Sequence, residues 1–155
     1  MTATNHALTG AVIALAVKNP ALAIPLAFAS HFATDALPHF GIHIKDVFKR
    51  NHSKQFRIVL ITDLILASLL GLSILTFLGS KTSNLELAAC MFAAVSPDLV
   101  WGIRFFKEII RKAYKPPQEW FSKFHLWIQW SETPYGIIVE LLWFGVMLTA
   151  LLSLR

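Results

Sequence analysis

The feature that most constrains this chain is the run from Ile58 to Leu78. Its 21 residues carry a single charge, Asp63. At about 1.5 Å per residue such a run reaches about 30 Å as a helix, the thickness of a bilayer's hydrocarbon core. Two further runs resemble it. Leu85 to Phe106 is interrupted by Pro97-Asp98 and ends at Arg104, and Pro134 to Leu154 carries only Glu140. A soluble domain is about 25% charged, whereas this chain is 15% charged and 55% hydrophobic over 155 residues. That length allows one domain, and the low polarity excludes disorder. Cys90 is the sole cysteine, which excludes a disulfide scaffold, and its apolar surroundings make it a packing residue.

The amino-terminal part is less regular. Ala7 to Val17 is apolar, Lys18-Asn19-Pro20 breaks it, and Ala21 to Leu37 is apolar again around His31 and Asp35. The two pieces make a helical hairpin that either crosses the membrane or re-enters it. The expected fold is an all-α, polytopic helical membrane bundle forming a single domain over 1–155. It has about five membrane helices near 5–17, 21–39, 58–78, 85–106 and 134–154, with four as the fallback. No positive charge precedes the first apolar run, so residues 1–16 are read as part of the mature protein and not as a signal peptide.

Lysine and arginine set the orientation. Lys45, Lys49, Arg50, Lys54 and Arg57 lie between the second and third helices. Arg104, Lys107, Arg111, Lys112, Lys115 and Lys123 follow the fourth. Only Lys18, Lys81 and Arg155 fall on the other side. The amino terminus and both basic segments are therefore expected in the cytoplasm. The formal net charge of +5 reflects this bias and points to anionic lipid headgroups, not to nucleic acid. No protein partner can be read from the sequence. Residues 104–131 form an interfacial segment. Trp101, Phe105, Phe106, Ile109, Ile110 and Ala113 share one helical face, with the basic residues opposite. Trp101, Trp120, Trp127 and Trp130 cluster there, as aromatic belts do. Pro116-Pro117 splits the segment.

The acids and histidines fall at one depth. His6 opens the first helix; His31, Asp35 and His39 occupy the cytoplasmic half of the second. Asp63 lies six residues into the third, Asp98 in the cytoplasmic half of the fourth, and Glu140 six residues into the fifth. Each buried acid costs about 2.5–3.5 kcal/mol at a helix centre, so four cost on the order of 10 kcal/mol. No lysine or arginine in these helix halves offsets that cost, and a divalent cation would. The strongest motif is His31-Phe-Ala-Thr-Asp35-Ala-Leu-Pro38-His39, whose i, i+4, i+8 spacing aligns three ligands on one helical face. Histidine with carboxylate suits zinc best, with iron or manganese possible, as one or two ions. The expected ligands are His6, His31, Asp35, His39, Asp63 and Asp98. Glu140 or His125 is expected as general base or acid. His125 and Gln129 stand i, i+4 on a short helix that covers the site, while His43 and His52 are expected in solvent.

Asn5-His6, the apolar hairpin and Pro97-Asp98 resemble the bacterial membrane-bound metal-dependent hydrolases, the LexA-binding, inner-membrane-associated group. The resemblance covers about the first 100 residues and implies a bacterial inner-membrane hydrolase. The chain has Pro97-Asp98-Leu99-Val100-Trp101 where that family has Pro-Asp-x-Asp-His, and it lacks the family's later His-Arg-Gly-x-Thr-His-Ser stretch. His31, Asp35, Pro38 and His39 are more distantly similar to the zinc-binding helix of zinc-dependent phospholipases C, although the Asp-to-His spacing is shorter here. That similarity implies phosphoester cleavage. The expected function is a membrane-embedded, metal-dependent hydrolase of a phospholipid or lipidic phosphoester. The alternatives are an adaptor with a structural metal site, or a small metal or proton transporter.

Overall fold

Helix ends in this chain are set by a few local signals and by several distant ones. The computed structural model describes residues 1–42, 53–77, 83–111 and 118–154, apart from the side chains at 104, 108, 109 and 111. His43, His52, Lys45, Lys49, Arg50, Lys81, Lys112, Ala113, Lys115, the Pro116-Pro117 break and Arg155 lie outside the described residues.

Helix α1 (Ala3–Val17) stops where Lys18 turns left-handed at φ 53°. Asn19 then caps α2 (Pro20–Asp35) by accepting from the Ala21 N–H at 3.1 Å, and Pro20 takes the first helical position, where a missing N–H costs nothing. The expected helix over 21–39 ends at Asp35. Pro38 has no N–H to donate and disfavours helical geometry at Leu37. His39 therefore leaves the helix and enters β1 (His39–Phe40). Helix α3 (Lys54–Phe77) begins beside Ser53, which accepts from the Phe56 N–H at 3.1 Å.

Helix α4 (Asn84–Val95) is capped by Ser83 and gives way to a 3-10 turn at Ser96–Asp98, forced by Pro97. Helix α5 (Leu99–Arg111) continues from it, so the fourth apolar run is two helices with a break. Helix α6 (Trp120–Ile128) and a 3-10 turn at Gln129–Ser131 lead into β2 (Glu132–Thr133). A further 3-10 turn at Pro134–Gly136 leads into α7 (Ile137–Leu154). The fold is mostly helical, with one departure from the all-α expectation. β1 and β2 pair in parallel, His39 with Glu132 and Phe40 with Thr133. A side chain on Gly136 would overlap the His39 backbone, so this crossing needs glycine.

Helix α1 is the axis of the bundle and packs against α2, α3, α4 and α7. Its buried face is small: Ala7, Ala11 and Ala14 with Leu8 and Leu15. Ala23 and Ala27 of α2, and Leu87, Cys90 and Ala94 of α4, close on it. A Cβ on Gly10 would fall 2.5 Å from the Cys90 carbonyl oxygen, so α1 and α4 touch backbone to backbone. Small residues at such contacts let membrane helices approach closely. Among the described residues, three helical stretches are long and apolar enough to cross a membrane: Lys54–Thr76, Asn84–Lys107 and Pro134–Leu154. Their outer faces are apolar and open, as with Leu66, Leu69 and Leu72 on α3 and Leu141, Leu142 and Val146 on α7. Helices α1 and α2 are shorter, at 15 and 16 residues.

Candidate metal centre

The polar residues of the bundle collect at the end where α1 begins. Four of them converge on one point: His31 and Asp35 from the last turns of α2, Asp98 from the 3-10 break, and His125 from α6. One ligand atom of each lies within 4.8 Å of all the others. His31 Nε2 is 3.3 Å from Asp35 Oδ2 and 3.6 Å from Asp98 Oδ1. His125 Nε2 is 3.1 Å from Asp35 Oδ2 and 3.6 Å from Asp98 Oδ1. The two Nε2 atoms are 3.1 Å apart. A tetrahedral ion with bonds of about 2.0–2.1 Å spaces its ligand atoms about 3.3 Å apart. These five distances bracket that value, and the sixth, between Asp35 and Asp98, lies within 4.8 Å, so the four side chains could hold a metal ion with two nitrogen and two oxygen donors.

The rings are held from behind. His31 Nδ1–H donates to the Ala94 carbonyl at 2.8 Å, which leaves the Nε2 lone pair facing the centre. Trp101 donates its indole N–H to His125 Nδ1 at 2.9 Å. With Nδ1 accepting, the proton of a neutral His125 sits on Nε2, between Asp35 Oδ2 and His31 Nε2. For Nε2 to hold a cation, a neutral His125 would have to carry its proton on Nδ1 and give up the Trp101 N–H. Gln129 Nε2 donates to Asp35 Oδ2 at 3.2 Å. His31, Asp35 and His125 are fully enclosed, and Asp98 is 31% exposed, so the centre opens on the Asp98 side.

The remaining expected residues sit around this core. His6 Nε2 is 3.1 Å from Asp35 Oδ1, and its ring stacks on His31 with centroids 3.9 Å apart. Its Nδ1 meets the Thr34 hydroxyl at 3.1 Å, and that hydroxyl also reaches the Ser30 and His31 carbonyls. His6 Nε2 is buried and makes no hydrogen bond. His39 is buried on β1 with Nδ1 2.9 Å from the Leu37 carbonyl, apart from the four.

Asp63 and Glu140 are brought to the same end, where both meet the start of α1. Asp63 accepts from the Ala3 N–H at 2.7 Å, the Thr4 N–H at 3.1 Å and the Thr4 hydroxyl at 2.7 Å. Glu140 accepts from the Thr2 N–H at 2.9 Å, the Thr2 hydroxyl at 2.7 Å and the Asn5 side-chain amide. The first N–H groups of a helix have no partner within it, and here two acids from other helices supply one. The Met1 ammonium bonds Asp35 Oδ1.

Sequence reasoning missed Trp101 as a site residue, because its place in an aromatic stripe made it read as a membrane anchor. Ala94 left no signal at all, since its contribution is a main-chain carbonyl.

No protein-family model matches the chain, and no curated protein or solved structure is similar to it. Chemistry alone bears on what the centre does.

Proposed function

We propose that the chain is a membrane-embedded, metal-dependent hydrolase acting on a phospholipid or another lipidic phosphoester. The observation that carries this reading is the unequal grip of the four donors. His31, Asp35 and His125 stand 3.1–3.3 Å from one another. Asp98 stands 3.6 Å from both histidines and is partly exposed. If Asp98, the partly exposed member, stands off the ion, the other three donors leave a fourth position for water, the pattern of catalytic zinc sites. When bound, a divalent cation lowers the pKa of a water toward about 7 and neutralises phosphoryl oxygens. Asp98, on the open side, accepts the proton of the attacking water. Glu140 is occupied by Thr2 and Asn5, which favours Asp98 as the base. The donor set suits zinc, iron or manganese.

In the membrane, the α1–α2 hairpin joins the three long spans to make five. Lys54, Arg57, Lys107 and Lys123 lie toward the metal end, and Lys18 lies in the turn at the opposite end. This bias favours a cytoplasmic amino terminus and a centre at headgroup depth. The bacterial inner membrane is the compartment that the Asn5-His6 and Pro97-Asp98 resemblance implies.

A second reading, an adaptor with a structural metal site, draws on the same four protein donors, because a closed four-ligand shell is the structural pattern. Transport has less support. The hydroxyls of Ser68, Ser73, Thr76 and Thr149 on the long helices each bond a carbonyl of their own helix, which leaves them no part in a polar path.

The test is metal content and lipid phosphoester cleavage by the detergent-purified protein, wild type beside Asp35→Ala and Asp98→Asn. One or two divalent ions per chain are expected in wild type and none in Asp35→Ala. Asp98→Asn is expected to keep its metal while cleavage falls about 10²–10⁴-fold. Metal kept with no cleavage in wild type would favour the adaptor. No uptake of zinc, iron or manganese would end the metal reading.

A further inference from the structure

Helix α6 has two faces with opposite demands. Ser122, His125 and Ile128, at i, i+3, i+6, are buried and turn toward the metal centre. The other face carries Trp120 and Trp127, exposed at 75% and 72%, together with exposed Lys123, and Trp130 on the 3-10 turn that follows is exposed at 77%. Phe124 stacks on Trp120 and leans on Trp127, so this face is one aromatic sheet and not scattered rings. Exposed tryptophans in such a group mark a headgroup boundary, where an amphipathic ring has one side apolar and one side wet.

The chain order gives the depth independently. Helix α6 lies between the stretch that ends at Lys107 and the one that begins at Pro134. If both stretches cross the bilayer, α6 lies on the side where the first leaves the hydrocarbon and the second enters it. Lys54, Arg57, Lys107 and Lys123 surround that level as exposed cations, which complements an anionic surface. The same helix supplies His125 to Asp35 and His31, and the turn after it supplies Gln129.

We infer that α6 is a bilayer-seated arm, whose tryptophan face lies in the anionic headgroup layer and whose seat holds His125 at the cation centre. The link to the centre rests on the metal reading above; the seat itself does not.

The test uses the full chain in phosphatidylcholine vesicles, with and without phosphatidylglycerol. Wild type is compared with the triple variant Trp120→Ser, Trp127→Ser, Trp130→Ser, whose altered residues are all exposed and outside the four ligands. The difference in their tryptophan emission is expected to be quenched by a lipid labelled near its headgroup and spared by aqueous iodide. Quenching by iodide alone would place the arm in water and overturn the seat. Cobalt(II), as the probe ion, is expected to bind the triple variant about tenfold more weakly, as when only about a tenth of molecules hold the arm in place. Phosphatidylglycerol is expected to tighten binding to wild type alone. A seated arm with unchanged cobalt affinity would overturn the link. Should wild type bind no cobalt in any vesicle, the metal reading and the link would both fall, while the quenching would still judge the seat.

Discussion

Trp101 is the residue whose role separates two ways of using an aromatic side chain. Its indole N–H fixes the His125 ring through Nδ1 at 2.9 Å. Trp101→Phe keeps a large ring but removes the donor. Without that donor, Nδ1 is free to carry the ring proton and Nε2 to face the centre as a lone pair. Cobalt titration of this variant is therefore expected to show tighter binding; weaker binding would mean that the indole N–H supports the cation-binding form of the ring. The residue scale is also where the sequence was most informative. His31 and Asp35 were legible because i, i+4 on one helix needs no knowledge of the rest of the fold. His125 was legible as a site member through its i, i+4 spacing with Gln129, but as a general acid or base and not as one of the four clustered donors. Asp63 and Glu140 were legible as misplaced acids, but their partners were not. Those partners are largely main-chain N–H groups of another helix's first turn, which have no letter of their own in a sequence.

At the scale of elements, the α1–α4 contact is the tightest in the bundle. Gly10→Val would press two methyl groups into the Cys90 carbonyl, which already lies 2.5 Å from where a Cβ would stand. The helices must move apart, and overpacking of this kind costs about 1–3 kcal/mol. A lower melting temperature in detergent and faster alkylation of the buried Cys90 are expected together. An unchanged melt would mean that the helices are not packed this closely. Periodicity and run length located the helices well, because apolar runs and capping residues such as Asn19 and Ser83 act locally. They failed at one end, that of α2, while the interruption at Pro97-Asp98 was legible. Pro38 stops α2 at Asp35, and Pro97 turns one apparent span into α4 and α5. A proline in an apolar run can bend a helix, end it or divide it, and packing decides which. The parallel pairing of β1 with β2 was illegible for another reason: it joins two-residue segments that have no periodicity to read.

At the scale of the whole molecule, the hairpin decides how many times the chain crosses the bilayer. If α1 and α2 both cross, the turn at Lys18 faces away from the metal end. With Cys90 buried, single cysteines at Lys18, Lys54 and Lys123 can be tested with a membrane-impermeant thiol reagent. Lys54→Cys and Lys123→Cys are expected to react only from the cytoplasmic side, and Lys18→Cys only from the outside. Reaction of Lys18→Cys from the cytoplasm would make the hairpin re-entrant and the spans three. The clasp on the start of α1 bears on how such a chain is built. Thr2 reaches Glu140 across 138 positions of sequence, and Ala3 reaches Asp63 across 60. Polar main-chain groups at membrane depth need partners, and these partners are synthesised long after the groups they serve. His31 and His125 stand 94 positions apart and meet only once α6 has docked on α2, so a chain that stops short of α6 has an incomplete centre.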